Sequence, residues 1–423
     1  MKQRARRLSN PMAPRQQHNW DWRAAANFIV GGAGGGLLLC VPLAGFEPLA
    51  TRAAVLLGLV LVGTGLTCVW FEIRRPWRAL NVFLHFSSSW MTREAVAALL
   101  LVGLVMVASA SIGVSDRELG APFFYFQRQL MYVGLGLGAA AFAVMIPTAV
   151  WEKYSMVLLA IAFALLCLVL VPGLGHEVNG SRRWLRLGFM NFQVSELARV
   201  LLLTYLASYA VRRGDELVLD FKGFMKPVAV LAAAAVLLLA EPDFGAATVL
   251  MATGLAVLFL AGVRIHHLLV PVVVGVGAMS VLAVTSSYRL RRLVAFRNPW
   301  EDPFDSGFQL VQSLIAIGRG EWFGVGLGSS VQKLFYLPEA HTDFVFAVLA
   351  EEFGFVGVVL VLGLFALLVG RALTISRNAA EAGLTFQSYL AAAIGIWLGL
   401  QAFVNVGVNM GLLPTKGLTL PLL

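Results

Sequence analysis

Residues 337–370 read LPEAHTDFVFAVLAEEFGFVGVVLVLGLFALLVG, and this stretch decides the kind of fold the chain can adopt. Glu339, His341 and Asp343 stand where a polar loop enters an apolar run long enough to cross ~30 Å of hydrocarbon as a helix. Ionisable groups at a membrane boundary are costly unless they pair, meet water or do chemistry. Asp343 is therefore the first candidate for chemistry; the plainer alternative makes Thr342-Asp343 the N-cap of the helix that follows.

Working outward, the composition has the same character. Hydrophobic residues make up 59% of the 423 and charged residues 13%, with a mean hydropathy of +0.80. That is more apolar surface than one water-soluble core needs. Apolar spans near 24–45, 53–71, 95–113, 129–150, 155–172, 194–211, 226–240, 244–262, 267–285, 343–370 and 386–412 predict an all-α polytopic membrane protein of about eleven helices. Between the ninth and tenth spans lies a long polar segment, about 286–342, whose Asn298-Pro299, Asp302-Pro303 and glycines favour turns and short surface helices.

The bias of Lys and Arg among the loops sets orientation. Lys2, Arg4, Arg6, Arg7, Arg15 and Arg23 precede the first span, which predicts a cytoplasmic N-terminus. Counting onward, Arg74, Arg75, Arg78 and Arg93, then Arg212, Arg213 and Lys222, then Arg264, then Arg371 and Arg377 all fall inside. Two outward segments are basic as well: Arg182, Arg183 and Arg186 in NGSRRWLRLG, and Arg289, Arg291, Arg292 and Arg297 in YRLRRLVAFRNPW. Guanidinium forks there suit an anionic, phosphate-bearing partner. Contacts with anionic lipid headgroups are the plainer explanation.

Other motifs carry less. Cys40, Cys68 and Cys167 all fall within apolar spans, and the six histidines are scattered, so no metal site built from His and Cys is expected. GVGLGSS (324–330) lacks the strand-turn-helix setting of a phosphate loop, which excludes a nucleotide fold. Glu196 and Arg199 in FQVSELAR are one helical turn apart and read as an ion pair. Glu351 and Glu352 fall about two turns into the span opened by Asp343, making Glu352 a candidate for a polar pathway. Glu241 and Asp243 flank Pro242 in an outward turn, where helix capping is expected.

From about Leu101 onward the chain resembles the SEDS family of membrane glycosyltransferases, and within it the FtsW branch. The words that carry the likeness are LVMVASASI, FQRQL, NGSRRWLRLGFMNFQVSELAR, EPDFG, YRLRRLVAFRNPWEDPFDSGFQLVQSLIAIGRGEWFGVGLG, QKLFYLPEAHTDFVFAVLAEEFG and LPTKGLTLPL, in that order. Residues from about 19 to 97, with FEIRRPWRALNVFLHFSSSWMTREA at their centre, resemble instead part of a DmsC- or NrfD-type membrane anchor subunit. The expected organisation is a basic tail (1–23), a two-helix fragment (24–97) and a SEDS domain (98–423) that stops at Leu423, before the family's last helix. The two added helices preserve the direction in which the later spans enter the membrane.

The resemblance implies polymerisation of lipid II at the bacterial inner membrane during septal wall synthesis, with undecaprenyl pyrophosphate as leaving group. It makes Asp343 the catalytic residue. It gives Arg182, Arg183, Arg289, Arg292, Lys416, Glu339 and His341 to the substrate's pyrophosphate and sugar, and leaves Glu196, Arg199 and Glu352 as structural or polar-pathway residues. No tightly bound cofactor and no protein-only metal site are expected, though a divalent cation can accompany the pyrophosphate. Expected partners are lipid II, a class B penicillin-binding transpeptidase with other divisome proteins, and membrane lipid; no nucleic acid is implied. Two other functions compete: a lipid II flippase, and a quinone-linked redox anchor or nonfunctional fusion suggested by the N-terminal fragment.

Overall fold

A computed structural model describes residues 91–178, 181–188, 190–284, 296–305, 307–414 and 417–423. The expected spans at 24–45 and 53–71 lie outside these residues. Thr92–Leu423 forms one compact unit. Its helices are α1 (Met91–Leu119), α2 (Phe124–Met145), α3 (Thr148–Lys153), α4 (Ser155–Leu170), α5 (Val194–Arg212), α6 (Gly214–Leu219), α7 (Phe221–Ala240), α8 (Phe244–Leu260), α9 (Ile265–Val284), α10 (Phe308–Arg319), α11 (Val345–Glu381) and α12 (Thr385–Asn409). Strands β1 (Gly175–Val178), β2 (Ser181–Leu187) and β3 (Met190–Gln193) lie between α4 and α5.

Six of these helices (α1, α2, α5, α7, α11, α12) are long and apolar enough to cross a membrane, and α4, α8 and α9 are shorter apolar helices. The chain is a multi-pass membrane protein. Taking each of the nine as a crossing puts the β-sheet, the α7–α8 turn, residues 296–344 and the segment after α12 on the same side. The sites of interest therefore share one membrane face.

The spans begin and end for local reasons. Asp220 accepts a hydrogen bond from the Lys222 amide (3.1 Å) at the start of α7, and Asp243 accepts one from the Ala246 amide (3.0 Å) at the start of α8. The α11–α12 hairpin turns at Gly383, whose φ of 75° is left-handed. There the Gly383 and Leu384 amides donate to the Ala380 and Ala379 carbonyls of the closing helix.

Two buried apolar clusters result. One joins α4, α5, α7 and α8 through residues such as Leu166, Leu202, Phe224 and Leu250. The other joins α1, α10, the first turns of α11 and the C-terminal segment through Met106, Ala316, Phe346 and Leu420. Helix α12 belongs to both, contributing Ala393 to the first and Ala402 and Val406 to the second. By contrast, α2 buries none of its side chains and presents Leu137 and Phe142 outward, a surface suited to lipid.

Two features depart from the sequence reading. The segment 175–193, expected as an outward loop, holds a small antiparallel sheet in the order β1-β2-β3. In β2, Ser181 and Leu185 are buried and Arg183 is half-buried, whereas Arg182 and Arg186 are exposed, the period-two alternation of a half-buried strand. Within 286–342, where short surface helices are expected, the amphipathic helix α10 is instead packed into the bundle, burying Leu310, Val311, Ser313 and Ala316 against α11 and α12. Its polar loop setting hid that apolar stripe.

Candidate active site

Helix α11 is broken near its start. Gly354 has φ 65° and ψ −164°, so a short segment, 345–353, precedes the kink. A break in a spanning helix frees backbone groups that lipid cannot satisfy. The loop after α10 supplies the partners. Phe355 and Val356 amides donate to the Glu321 and Trp322 carbonyls (2.8 and 3.1 Å), while Val325 and Gly326 amides donate to the Glu351 and Glu352 carbonyls (2.9 and 3.1 Å). An added Cβ at Gly354 would come within 2.3 Å of the Gly324 nitrogen, so only glycine permits both the conformation and this approach.

Two acids on the short segment are closed off from solvent and fully engaged. Glu352 pairs with Lys333 Nζ (2.7 Å), and Ser109 Oγ of α1 donates to its carboxylate (2.7 and 2.8 Å) while accepting from Lys333 Nζ (2.8 Å). Glu351 accepts from Ser330 Oγ (2.5 Å) and from the Val331 and Gln332 amides (3.1 and 3.3 Å), with Arg319 at 3.4 Å. Backbone amides that follow the glycine-rich loop thus hold the protein's own carboxylate. That arrangement agrees with rejecting GVGLGSS as a nucleotide loop, and it makes Glu352 a member of an internal ion pair.

Asp343 stands immediately before this segment. The helix is capped at Phe344 without a side-chain cap hydrogen bond, so Asp343 lies one residue outside the cap position. Its side chain is half-buried, and an added Cβ at Gly417 would lie 2.9 Å from its Oδ2. The carboxylate therefore borders the backbone of the segment after α12. Its main-chain carbonyl accepts from Asn405 Nδ2 (2.9 Å) and Asn409 Nδ2 (3.2 Å).

Around Asp343, His341 is half-buried and lies against Tyr125 of α2, ring centroids 5.0 Å apart. Burial lowers its pKa, opposed by the Glu339 and Glu118 carboxylates. The lowered pKa favours the neutral imidazole. Glu339 is exposed and accepts from Thr342 Oγ1 (2.7 Å).

The α5 entrance lies across the seam between the two clusters. Arg199, almost wholly buried, donates to both Glu196 oxygens (3.2 and 3.1 Å) and to Gln401 Oε1 of α12 (3.0 Å). Its guanidinium also lies 5.3 Å from the Trp397 ring centroid. The ion pair expected from the i,i+3 spacing is present, and the tie to Gln401 adds a cross-link between helices that spacing could not show.

The α7–α8 turn divides the capping expectation. Asp243 caps α8, but the Glu241 carboxylate is buried with no hydrogen-bond partner among the described residues. Burial, with the nearby Asp243 charge, pushes its pKa up to about 8 against the pull of Arg183. Arg183 donates to the Glu241 and Pro242 carbonyls (3.4 and 2.7 Å), and Arg182 pairs with Glu177 on the exposed face of the sheet (3.1 Å). Arg289, Arg292 and Lys416 lie outside the described residues. Among the described residues no group of three or more His, Cys, Asp or Glu is placed to hold a metal ion. A cavity of about 330 Å³ lined by Ser376, Arg377, Ser388 and Tyr389 lies at the other end of α11, far along the helix from Asp343, and is not assigned to the reaction.

The amides of α12 went unnoticed in the sequence. Gln401, Asn405 and Asn409 recur every four residues in an apolar span, which puts them on one helical face. Polar residues so placed inside a membrane are themselves a functional signal.

Fold and site together define a polytopic membrane protein with a half-buried carboxylate, Asp343, at one membrane face. Residues 90–423 match the FtsW, RodA and SpoVE family, described as cell cycle proteins, and the chain belongs to that family. It is 58% identical over 329 residues to the probable peptidoglycan glycosyltransferase FtsW of Thioalkalivibrio sulfidiphilus, covering 78% of this chain and 82% of that one. It is 55% identical over 324 residues to the protein of the same name from Coxiella burnetii, covering 77% and 87%. Among solved structures it is similar to a chain of a peptidoglycan synthase complex that coordinates polymerization and crosslinking (31% identity, TM-score 0.64, 79% of this chain and 91% of that one). It is also similar to the rod shape determining protein RodA of Thermus thermophilus (30% identity, TM-score 0.58, 79% and 89%).

Proposed function

We propose that this chain is a peptidoglycan glycosyltransferase that polymerises lipid II, with Asp343 as general base. The observation that carries the reading is the placement of Asp343: a half-buried carboxylate at the membrane face, bordered by the Gly417 backbone and anchored through its own carbonyl. In the reaction a sugar hydroxyl of one lipid-linked disaccharide attacks the anomeric carbon joined to the other's pyrophosphate. The glycosidic C–O bond forms, the anomeric C–O bond to pyrophosphate breaks, and Asp343 takes the hydroxyl proton. A base within about 2.6–3.2 Å of that hydroxyl contributes roughly 10²- to 10⁴-fold.

The departing pyrophosphate needs positive charge. Arg182 and the basic residues Arg289, Arg292 and Lys416 are the candidates, and a divalent cation carried by the substrate can share the task. Arg183 is a candidate as well, and it also braces the α7–α8 turn. The Lys/Arg bias supports an outward orientation for this face and a cytoplasmic N-terminus. The family's description as cell cycle proteins supports a role at the division septum, and the likeness to a chain of a complex that couples polymerization and crosslinking supports assembly with a class B penicillin-binding transpeptidase.

Asp343→Asn tests the assignment. Asn nearly preserves shape and hydrogen bonding but cannot accept the proton. Glycan polymer formed from lipid II by the full chain in detergent should fall at least a hundredfold, with the melting temperature within a few degrees of the parent's. A stable variant with undiminished polymerisation would refute the base.

A further inference from the structure

The amide side chains of α12 form a ladder of hydrogen bonds along one helical face, in which Asn409 is bonded to Asn405 and Gln401 joins them through the neighbouring segment 418–419. Gln401 accepts from Arg199 NH1 of α5 (3.0 Å) and from Trp397 Nε1 (2.7 Å), and donates to the Thr419 carbonyl (3.2 Å). One turn further, Asn405 donates to the Leu418 carbonyl (2.5 Å) and to the Asp343 carbonyl (2.9 Å). One turn beyond that, Asn409 donates to the Asp343 carbonyl (3.2 Å) and to the Asn405 carbonyl (2.9 Å), and accepts from the Ala347 amide (3.2 Å). All three amides are almost wholly buried, and every donor of Asn405 is engaged by main-chain oxygens that come from two different segments.

This arrangement has more order than helix packing requires. The Asp343 carbonyl stands just before the helix cap and takes two side-chain donors from one neighbouring helix. The segment whose Gly417 borders the Asp343 carboxylate is held at the next two carbonyls, Leu418 and Thr419, by Asn405 and Gln401. Of the three amides, Asn405 is the one that hydrogen-bonds both walls among the described residues. Buried hydrogen bonds of this kind rigidify the groups they join.

We propose that Asn405, with Asn409 and Gln401, is a positioning device that fixes the distance and angle between the Asp343 carboxylate and the 417–420 segment, so that the base meets the attacking hydroxyl in one geometry. The ladder does not touch the reacting atoms; it acts through the Asp343 main chain and through the segment opposite. The inference rests on Asp343 being the base. A misplacement of about 1 Å in a reacting group can cost on the order of a hundredfold in rate, so the ladder's effect belongs in kcat rather than in substrate affinity.

Asn405→Leu keeps the volume and removes both donors. The full chain carrying it should show kcat for lipid II polymerisation at least tenfold below the parent, KM within threefold, and a single melting transition. Asn405→Asp provides a second handle. Ionised, it turns an acceptor toward two carbonyl oxygens; protonated, it donates to one, so its kcat relative to the parent should rise as pH falls from 8 to 6. A folded Asn405→Leu chain with parental kcat, or a loss confined to KM or to melting temperature, overturns the proposal. If Asn405→Leu fails to fold, a pH-independent ratio for Asn405→Asp overturns it instead. Asp343→Asn run alongside separates the two ideas: if that variant keeps full turnover, the base assignment has failed and the ladder's role goes with it. If it is inactive while Asn405→Leu is unaffected, only the ladder has failed.

Discussion

Glu352 and Glu241 are both closed off from solvent in the same bundle, and they are handled in opposite ways. Glu352 meets an ammonium and a hydroxyl, from Lys333 and Ser109. Glu241, in the α7–α8 turn, meets no hydrogen-bond donor among the described residues, and burial there favours the protonated form up to about pH 8. A buried carboxylate persists either through a partner or through a proton. The difference teaches where rigidity was built in: the paired acids lie beside the break in α11 that follows Asp343, and the unpaired one lies on a turn held by Arg183 and by the Asp243 cap.

The largest expected effect comes from removing a partner. Lys333→Met leaves Glu352 buried without its cation, which should destabilise the bundle by about 3–5 kcal/mol. Adding Glu352→Gln to that variant should recover most of the loss. Denaturation in detergent across the double-mutant cycle measures both, and additive effects would show that the pair is uncoupled.

A smaller, pH-dependent effect is expected at Glu241. Its folded-state pKa lies above the ordinary carboxylate range, so the stability linked to its proton is fully present below about pH 4.5 and is lost as pH rises through about 8. Glu241→Gln mimics the protonated form. Its melting temperature should exceed the parent's above pH 8, and the gap should close as pH falls toward 5. A gap that is independent of pH would mean that Glu241 does not titrate in that window.

The smallest effect belongs to the exposed pair on the sheet. Arg182→Ala should change stability by less than about 1 kcal/mol, because its pairing with Glu177 is screened by water. The same variant bears on substrate charge. A raised KM for lipid II with unchanged melting would place Arg182 on the pyrophosphate, whereas an unchanged KM would leave it as sheet surface.

Much of the site was visible before any fold was known, and its limits have physical causes. Asp343 was legible because a carboxylate entering an apolar span is conspicuous, and Glu196–Arg199 because an i,i+3 pair needs only helical geometry. The sheet at 175–193 escaped because its alternation runs over only a few residues of a basic stretch. The break at Gly354 escaped because one glycine in an apolar helix is ordinary; it becomes a kink only when residues 320–326 arrive to take up its freed backbone groups. The α12 amides escaped because their chemistry is neutral and their partners are distant.

By itself, then, the sequence determined that this chain lives in a membrane, where its spans lie between 91 and 409, and which acid stands at the threshold of one of them. These properties are local, since hydropathy and charge act on each segment whatever its neighbours. Only the tertiary structure decided that Asn405 and Asn409 would hold the carbonyl of a residue 62 and 66 positions away, and that the Glu351 carboxylate would be held by Ser330 and the amides just after the glycine-rich loop. Hydrogen bonds depend on ångström-scale distances between segments that share no periodicity, and packing alone sets those distances.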